Sequence, residues 1–309
     1  MKKRLGLVCI ELVMMGVAHV YAQPSPLDYS YCGYRQSESV IPDAANVMYV
    51  ENRGGDNYTR IQKAIDYVSS LKPDKKTGLR GAVLLGEGLF DISEPIRISA
   101  KGVVVRGVGR DKTIIRKVGV DRGSAIYLEG ENNLKITDTL NITTPYLEVG
   151  KRTFAISGGT LNKGEEIMIF RPCTKDWIAS LKCNIFGGGI DWLGWKPTDM
   201  DVNWNRTITA IDGNVITIDA PLTVALDKKW GECKLLRYQW KGRISQSGIE
   251  NLTIESEYDT KYSKDEDHCW NGVYISNAKD CWVRLVNFRN FAGSAVIVQR
   301  TGSQITVED

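Results

Sequence analysis

The feature that most restricts this chain is a spacing of apolar residues that returns at long, fixed offsets. Ile249, Leu252 and Ile254 stand at relative positions 0, +3 and +5, and Val283, Val286 and Phe288 repeat that spacing 34 residues later. Ile305 and Val307 follow Val286 and Phe288 by 19 residues, and the run from Gly272 to Ile275 is echoed by Ser294 to Ile297 after 22. A coil of about 19–22 residues, lengthened once between residues 255 and 270, accounts for these offsets. One coil cannot bury its inward side chains alone, so equivalent positions must pack on neighbouring coils at strand spacing. An ordinary β-sandwich with chance periodicity is the competing architecture.

The first half of the chain agrees. From Gly81 onward the β-rich runs are short: Val83–Leu85, Phe90–Ile92, Ile96–Ile98, Val103–Val105, Thr113–Ile115 and Ile126–Leu128. Gly, Pro, Asp or Lys turns separate them, and no two-residue hairpin loops join them. Strands this short and numerous suit a parallel solenoid rather than a meander. Before them, Ile61, Ala64, Ile65, Val68 and Leu71 form one apolar stripe at helical period. Thr59 and Gln62 make a capping box, and Lys72-Pro73 ends the helix, which is expected over residues 59–71.

Residues 140–245 break the rhythm. Alternating runs around Tyr146, Phe154 and Ile167, and a hairpin turning at Asp212-Gly213-Asn214, read as a small antiparallel β subdomain inserted into the solenoid. The chain thus divides into a leader (1–22), a strap (23–50), first coils with the capping helix (51–139), the insertion (140–245) and further coils (246–309). The last coil stops at Asp309 with nothing resembling a polar cap, so further sequence of the same protein is expected as its neighbour.

Lys2, Lys3 and Arg4 precede an apolar segment from Leu5 to Val20, interrupted by Glu11, with small residues at −3 and −1 of a cut after Ala22. That is a secretory signal pattern, and it places the protein outside the cell, in the periplasm or at the surface. Cleavage leaves 37 basic and 36 acidic residues. Such a balance, without a basic run, argues against nucleic acid as a partner. No stretch of 18 uncharged apolar residues exists to cross a membrane in the mature chain. Six cysteines remain, an even number that permits disulfides without fixing their pairing, and their spacing does not suit zinc.

The stretch Gly55-Asp56-Asn57, Thr59, Ile61-Gln62, Ala64-Ile65-Asp66, followed by Gly81 through Leu85 and Gly107 through Gly109, resembles the opening of the pectate-lyase superfamily. The resemblance covers about residues 50–130 and 248–309. It implies a right-handed parallel β-helix whose short helix caps the first coil. It also implies a carbohydrate-active protein working on an extracellular polysaccharide, a pectin-like uronate polymer among the candidates. The paired-Asp and Gly-His-Gly signatures of polygalacturonase-type hydrolases are missing, so no catalytic residue carries over by position.

Two excursions carry candidate chemistry. The first holds Trp177, Trp192, Trp195 and Trp204 with Gly187-Gly188-Gly189 and Asp191, Asp199 and Asp201. Flat aromatic faces and carboxylates suit sugar rings, unless the tryptophans merely pin a loop. The second, Glu255–Asn271, carries Asp265, Glu266, Asp267, His268 and Trp270. His268 is the one histidine of the mature chain and suits acid–base work, with Asp265 and Asp267 as partners or as ligands for Ca²⁺. Arg284, Arg289 and Arg300 follow on late strands and, sharing a face, would clamp uronate carboxylates. A lyase needs a base, for which Arg289 is the candidate, and a cation; a glycosidase needs two carboxylates. A glycan-binding or structural module without catalysis is the alternative.

Overall fold

The computed structural model describes residues 28–186, 190–262 and 264–309, so the leader and Gly187–Gly189 lie outside the described residues. The chain is mostly strands with few helices. One parallel ladder runs Asn46–Val50, Gly81–Leu85, Val103–Gly107, Gly248–Ser256, Ala278–Arg289 and Ser303–Glu308. Gly88–Ile92 and Thr113–Lys117 pair in parallel with each other, and the latter joins the end of Gly248–Ser256. A second, four-stranded parallel ladder contains Ile96–Ile98, Ser124–Glu129, Asn271–Ser276 and Ser294–Val298.

The 34-residue offset is the register itself: Ile249 pairs with Val283, Leu252 with Val286 and Ile254 with Phe288. The two shorter offsets need correction. Ile305 pairs with Cys281, not Val286, an offset of 24, and Ser294 pairs with Asn271, an offset of 23. The reason lies in the corners. Gln246, Asp280 and Gln304 adopt positive φ (58°, 52° and 54°) at matching places in adjacent rungs, as do Asn251 and Leu285 (59° and 54°). Matched left-handed residues turn each strand at the same place and keep the register, so Ile305 and Cys281 both follow the first corner while Val286 follows the second. Asn251 exploits its corner, its Nδ2 donating to Gly107 O at 3.0 Å.

Between the ladders lies one core that includes Val83, Leu85, Phe90, Val105, Ile115, Ile126, Leu128, Leu252, Ile254, Val273 and Ile275. The helix Tyr58–Ser70 buries Ile61, Ala64, Ile65 and Val68 against it. The expected capping box does not form. Asp56 Oδ1 accepts the Tyr58 N–H at 3.0 Å, while Gln62 reaches the strand below, donating to Arg97 O and accepting from Arg97 N. A smaller core on the outer side of the first ladder joins Tyr34, Ala44 and Leu79 to Ala82, Val104 and Trp282, with Tyr34 edge-on to Trp282 at 5.5 Å.

Next to these, Glu250 is almost fully buried, yet it binds four donors. Arg106 Nε (2.6 Å), Arg284 Nε (2.7 Å) and Trp282 Nε1 (3.1 Å) meet its carboxylate, and a second Arg106 nitrogen lies at 2.5 Å. Register explains the cluster, since Arg106, Glu250, Arg284 and Glu308 are successive partners across the ladder. A second column, Asp91, Arg116, Glu255 and Arg289, alternates in the same way.

A six-stranded antiparallel sheet, ordered Thr153–Ala155, Val215–Ile218, Val202–Asp212, Glu166–Arg171, Lys234–Gln239 and Lys135–Asn141, has its own core around Phe154, Ile167, Ile169, Trp204, Ile208, Ile216 and Leu235. Where it meets the parallel ladder, Lys279 Nζ donates to Glu166. Burial would raise the Glu166 carboxyl, but this bond and the charges of Lys279 and Arg243 override it and hold it below the usual range.

All six described cysteines are free, with Cys32 exposed, Cys183 half-buried and the rest buried. Burial pushes Cys233 and Cys269 up to about 11 and Cys281 to about 12, so these thiols stay protonated and inert at neutral pH. A disulfide-exchange reagent should therefore titrate Cys32 rapidly and Cys183 more slowly in the native protein, and the remaining four after unfolding. Rapid native reaction of Cys281 would contradict the packing.

Candidate functional site

The outer face of the second parallel ladder presents a column of side chains that register brings together. Arg97, Tyr127, Tyr274 and Ile297 are successive partners in its four strands. Each central strand alternates, so Ile126 and Leu128 turn inward to the core while Tyr127 between them stays part-exposed; Val273, Tyr274 and Ile275 do the same. The two tyrosine rings lie 5.4 Å apart, and the Arg97 guanidinium stacks on Tyr127 at 4.4 Å.

Where the strands Ser124–Glu129 and Asn271–Ser276 begin, the excursion before Asn271 flanks the column. Arg122 lies over the Trp270 ring at 5.6 Å and donates to Asp267 through Nε at 3.0 Å. Trp270 Nε1 is tied to Glu266 O at 2.8 Å, which fixes the ring. Where the same strands end, Glu129 accepts the Ser276 hydroxyl at 2.7 Å and faces Arg97 at 3.7 Å. Beyond it opens a cavity of about 430 Å³ lined by Lys101, Glu129, Glu131, Lys241 and Arg243. Arg243 is buried and stacked on Trp240 at 4.7 Å, and its Nε and Nη1 have no protein partner among the described residues.

The residues singled out from sequence fall in different places. His268 is buried, 5% exposed, with Nδ1 against Ser256 Oγ at 2.9 Å and Nε2 against Asp265 O at 3.2 Å. A ring with both nitrogens engaged internally organises its loop; it has no free edge with which to exchange a proton with a bound sugar. Asp265 accepts the N–H groups of Asp259 and Asp267, each at 2.9 Å, and these bonds hold its carboxyl below the usual range. With Asp267 paired to Arg122, the two carboxylates do not converge on a Ca²⁺ position. Among the described residues no group of three or more His, Cys, Asp or Glu side chains is arranged to hold a metal.

The three arginines do not share a face. Arg284 is committed to Glu250, the left-handed corner at Leu285 separates it from exposed Arg289, and Arg300 reaches Asp199 O at 3.3 Å. Trp204 is a core residue of the antiparallel sheet, its Nε1 donating to Thr223 Oγ1 at 3.0 Å, and so is no sugar platform. Trp177 and Trp195 are half-buried and lie 6.1 Å apart, with buried Arg171 stacked on Trp177 at 4.2 Å. Trp192 is 76% exposed. Trp270 alone of the five tryptophans borders the column. Tyr127, Tyr274 and Arg97 escape a sequence reading, although an outward tyrosine between two inward aliphatics is visible in both strands.

The sequence matches no family model and no curated protein. Among solved structures, the tailspike protein gp49 from Pseudomonas phage LKA1 aligns at 15% identity over 78% of this chain and 33% of that chain, with a TM-score of 0.43. The Gp54 tailspike of Acinetobacter baumannii bacteriophage AP22, in complex with A. baumannii capsular saccharide, aligns at 11% identity over 77% and 34%, TM-score 0.38. The A-module of the Azotobacter vinelandii mannuronan C-5 epimerase AlgE4 aligns at 11% over 84% and 40%, TM-score 0.33. This chain spans about a third of the tailspikes' length. No helix among its described residues is long and apolar enough to cross a membrane.

Proposed function

We propose that this chain is a carbohydrate-active, right-handed parallel β-helix domain that binds an acidic extracellular polysaccharide along the outer face of the second ladder. The observation that carries the reading is the in-register column Arg97–Tyr127–Tyr274. Strands repeat every ~4.8 Å, close to the rise of a sugar unit along an extended glycan, so successive rungs offer successive stacking faces. Tyrosine suits this duty because its ring packs on apolar C–H surface while its hydroxyl stays wet. Two guanidinium groups beside the rings, Arg97 within the column and Arg122 on its flank, are partly exposed next to Glu129 and Asp267 and favour a glycan bearing carboxylates such as a uronate polymer. Trp177, Trp192 and Trp195 add a second aromatic surface on the insertion. The leader pattern at residues 1–22 supports export, and with it an encounter with polysaccharide outside the cytoplasm.

Affinity electrophoresis in gels containing polygalacturonate, alginate or hyaluronan, with dextran as the neutral control, tests this. An acidic polymer should retard the protein and dextran should not. Tyr127→Ala and Tyr274→Ala should each weaken binding about tenfold, roughly 1.4 kcal/mol. Unchanged retardation in the double variant would refute the column as the binding face.

A further inference from the structure

Each arginine beside the tyrosine rings already holds a carboxylate of its own chain. Arg97 Nη1 lies 3.7 Å from Glu129 Oε2, and Arg122 donates to Asp267 Oδ1 through Nε at 3.0 Å and through Nη2. Both guanidinium groups also lie on an aromatic face, Arg97 on Tyr127 at 4.4 Å and Arg122 on Trp270 at 5.6 Å. The same arrangement thus occurs twice: a ring, a cation over it, and an acid beside the cation.

The parts are held from outside the pair. Gln62 of the capping helix binds both the N–H and the carbonyl of Arg97. Glu129 accepts the hydroxyl of Ser276, its partner in the next rung, at 2.7 Å. The Asp267 N–H donates to Asp265 at 2.9 Å, and Trp270 Nε1 donates to Glu266 O at 2.8 Å. The acids are therefore placed, yet the cations stay open to solvent, with the Arg97 and Arg122 side chains 52% and 56% exposed. An ion pair so exposed contributes little and exchanges readily. A guanidinium has donors to spare, and Glu129 meets Arg97 beyond hydrogen-bond distance. An incoming carboxylate can replace either acid, because Glu129 and Asp267 both remain within reach of water.

We propose that Glu129 and Asp267 are resident competitors that select among acidic polysaccharides, reserving the tyrosine column for chains with a carboxylate on every sugar. The inference rests on the polysaccharide reading above and sharpens its substrate class. A bound chain must supply an acid to each arginine that gives up its own. A polymer with a carboxylate on every unit does so in any register along the rungs. A polymer with one on alternate units has registers that satisfy one arginine and leave the other with its resident acid, whose charge then repels the chain. A neutral chain gains nothing from either arginine.

The test compares polygalacturonate and alginate, acidic at every sugar, with hyaluronan, acidic at alternate sugars, by affinity electrophoresis. The wild type, Glu129→Gln, Asp267→Asn and the double variant are run side by side. Polygalacturonate and alginate should retard the wild type more than hyaluronan does. Each single variant should bind hyaluronan about two- to fivefold more tightly, and the double variant should narrow the gap between the polymers. Glu148→Gln, which takes one charge from an exposed ion pair on the insertion, controls for net charge and should match the wild type. Thermal melts equal to that of the wild type show that the variants keep their fold. Unchanged or weaker binding in both single variants would mean that the acids only hold the arginines in place. That result, an equal gain in Glu148→Gln, or equal retardation of the wild type by all three polymers would overturn the selection and leave the binding reading intact. Failure of every polymer to retard the wild type and the variants would overturn the binding reading, and this inference with it.

Discussion

Glu250→Gln is expected to lower the free energy of unfolding by about 3–5 kcal/mol, the cost of breaking a buried ion pair from one side. The carboxylate is 3% exposed and shared by Arg106 and Arg284, with Trp282 as a third donor. Glutamine keeps the shape but offers one carbonyl oxygen where two ionised oxygens stood, and it leaves two guanidinium groups facing each other across one rung. Arg106 can fall back on Asp43, Ala44 O and Asn46, so part of its charge is re-satisfied; Arg284 has no second acid within ion-pair distance among the described residues. The check is equilibrium denaturation followed by near-ultraviolet circular dichroism, which reports Trp282 directly. A loss below 1 kcal/mol would mean that the cluster is ornamental.

Gly130→Ala is expected to be comparably severe, at about 3 kcal/mol, the upper end for overpacking a rigid site. A Cβ there would sit 2.4 Å from Gly242 O, 2.5 Å from Asn277 O and 2.9 Å from Ile244 N, all backbone. Two segments, Gly242–Ile244 and the one at Asn277, would have to retreat at once, and they are the ones that clamp Gly130 and Glu131. Gly150→Ala, whose Cβ would meet nothing within 4 Å, controls for the loss of a glycine as such, although its φ of 84° adds some strain. Denaturation midpoints of the two variants test the contrast, and a milder effect at Gly130 than at Gly150 would refute it.

Much of the architecture is legible because burial dictates it. Apolar spacing equals register where matching corners are compared, as Ile249, Leu252 and Ile254, on either side of Asn251, show against Val283, Val286 and Phe288, on either side of Leu285. The count is lost where two different corners are matched, as when Ile305, just past Gln304, is set against Val286, just past Leu285, instead of Cys281, just past Asp280. The proposed binding face is less legible for a related reason. Tyr127 and Tyr274 are neighbours in space across 147 residues of chain, most of which lie in the segment that carries the antiparallel sheet. No local pattern announces that pairing. His268 draws attention as a lone titratable residue, yet chemistry depends on exposure, and its ring is spent on Ser256 and Asp265.

The contact of Gly130 and Glu131 with Gly242 and Ile244 means that the detour into the antiparallel sheet departs and returns through one doorway. The pitch of the rungs is set on either side of that doorway and not by what hangs from it. A module so attached can be lengthened, shortened or exchanged while the parallel ladders keep their form, so that flank is free to change without refolding the column of Arg97, Tyr127 and Tyr274.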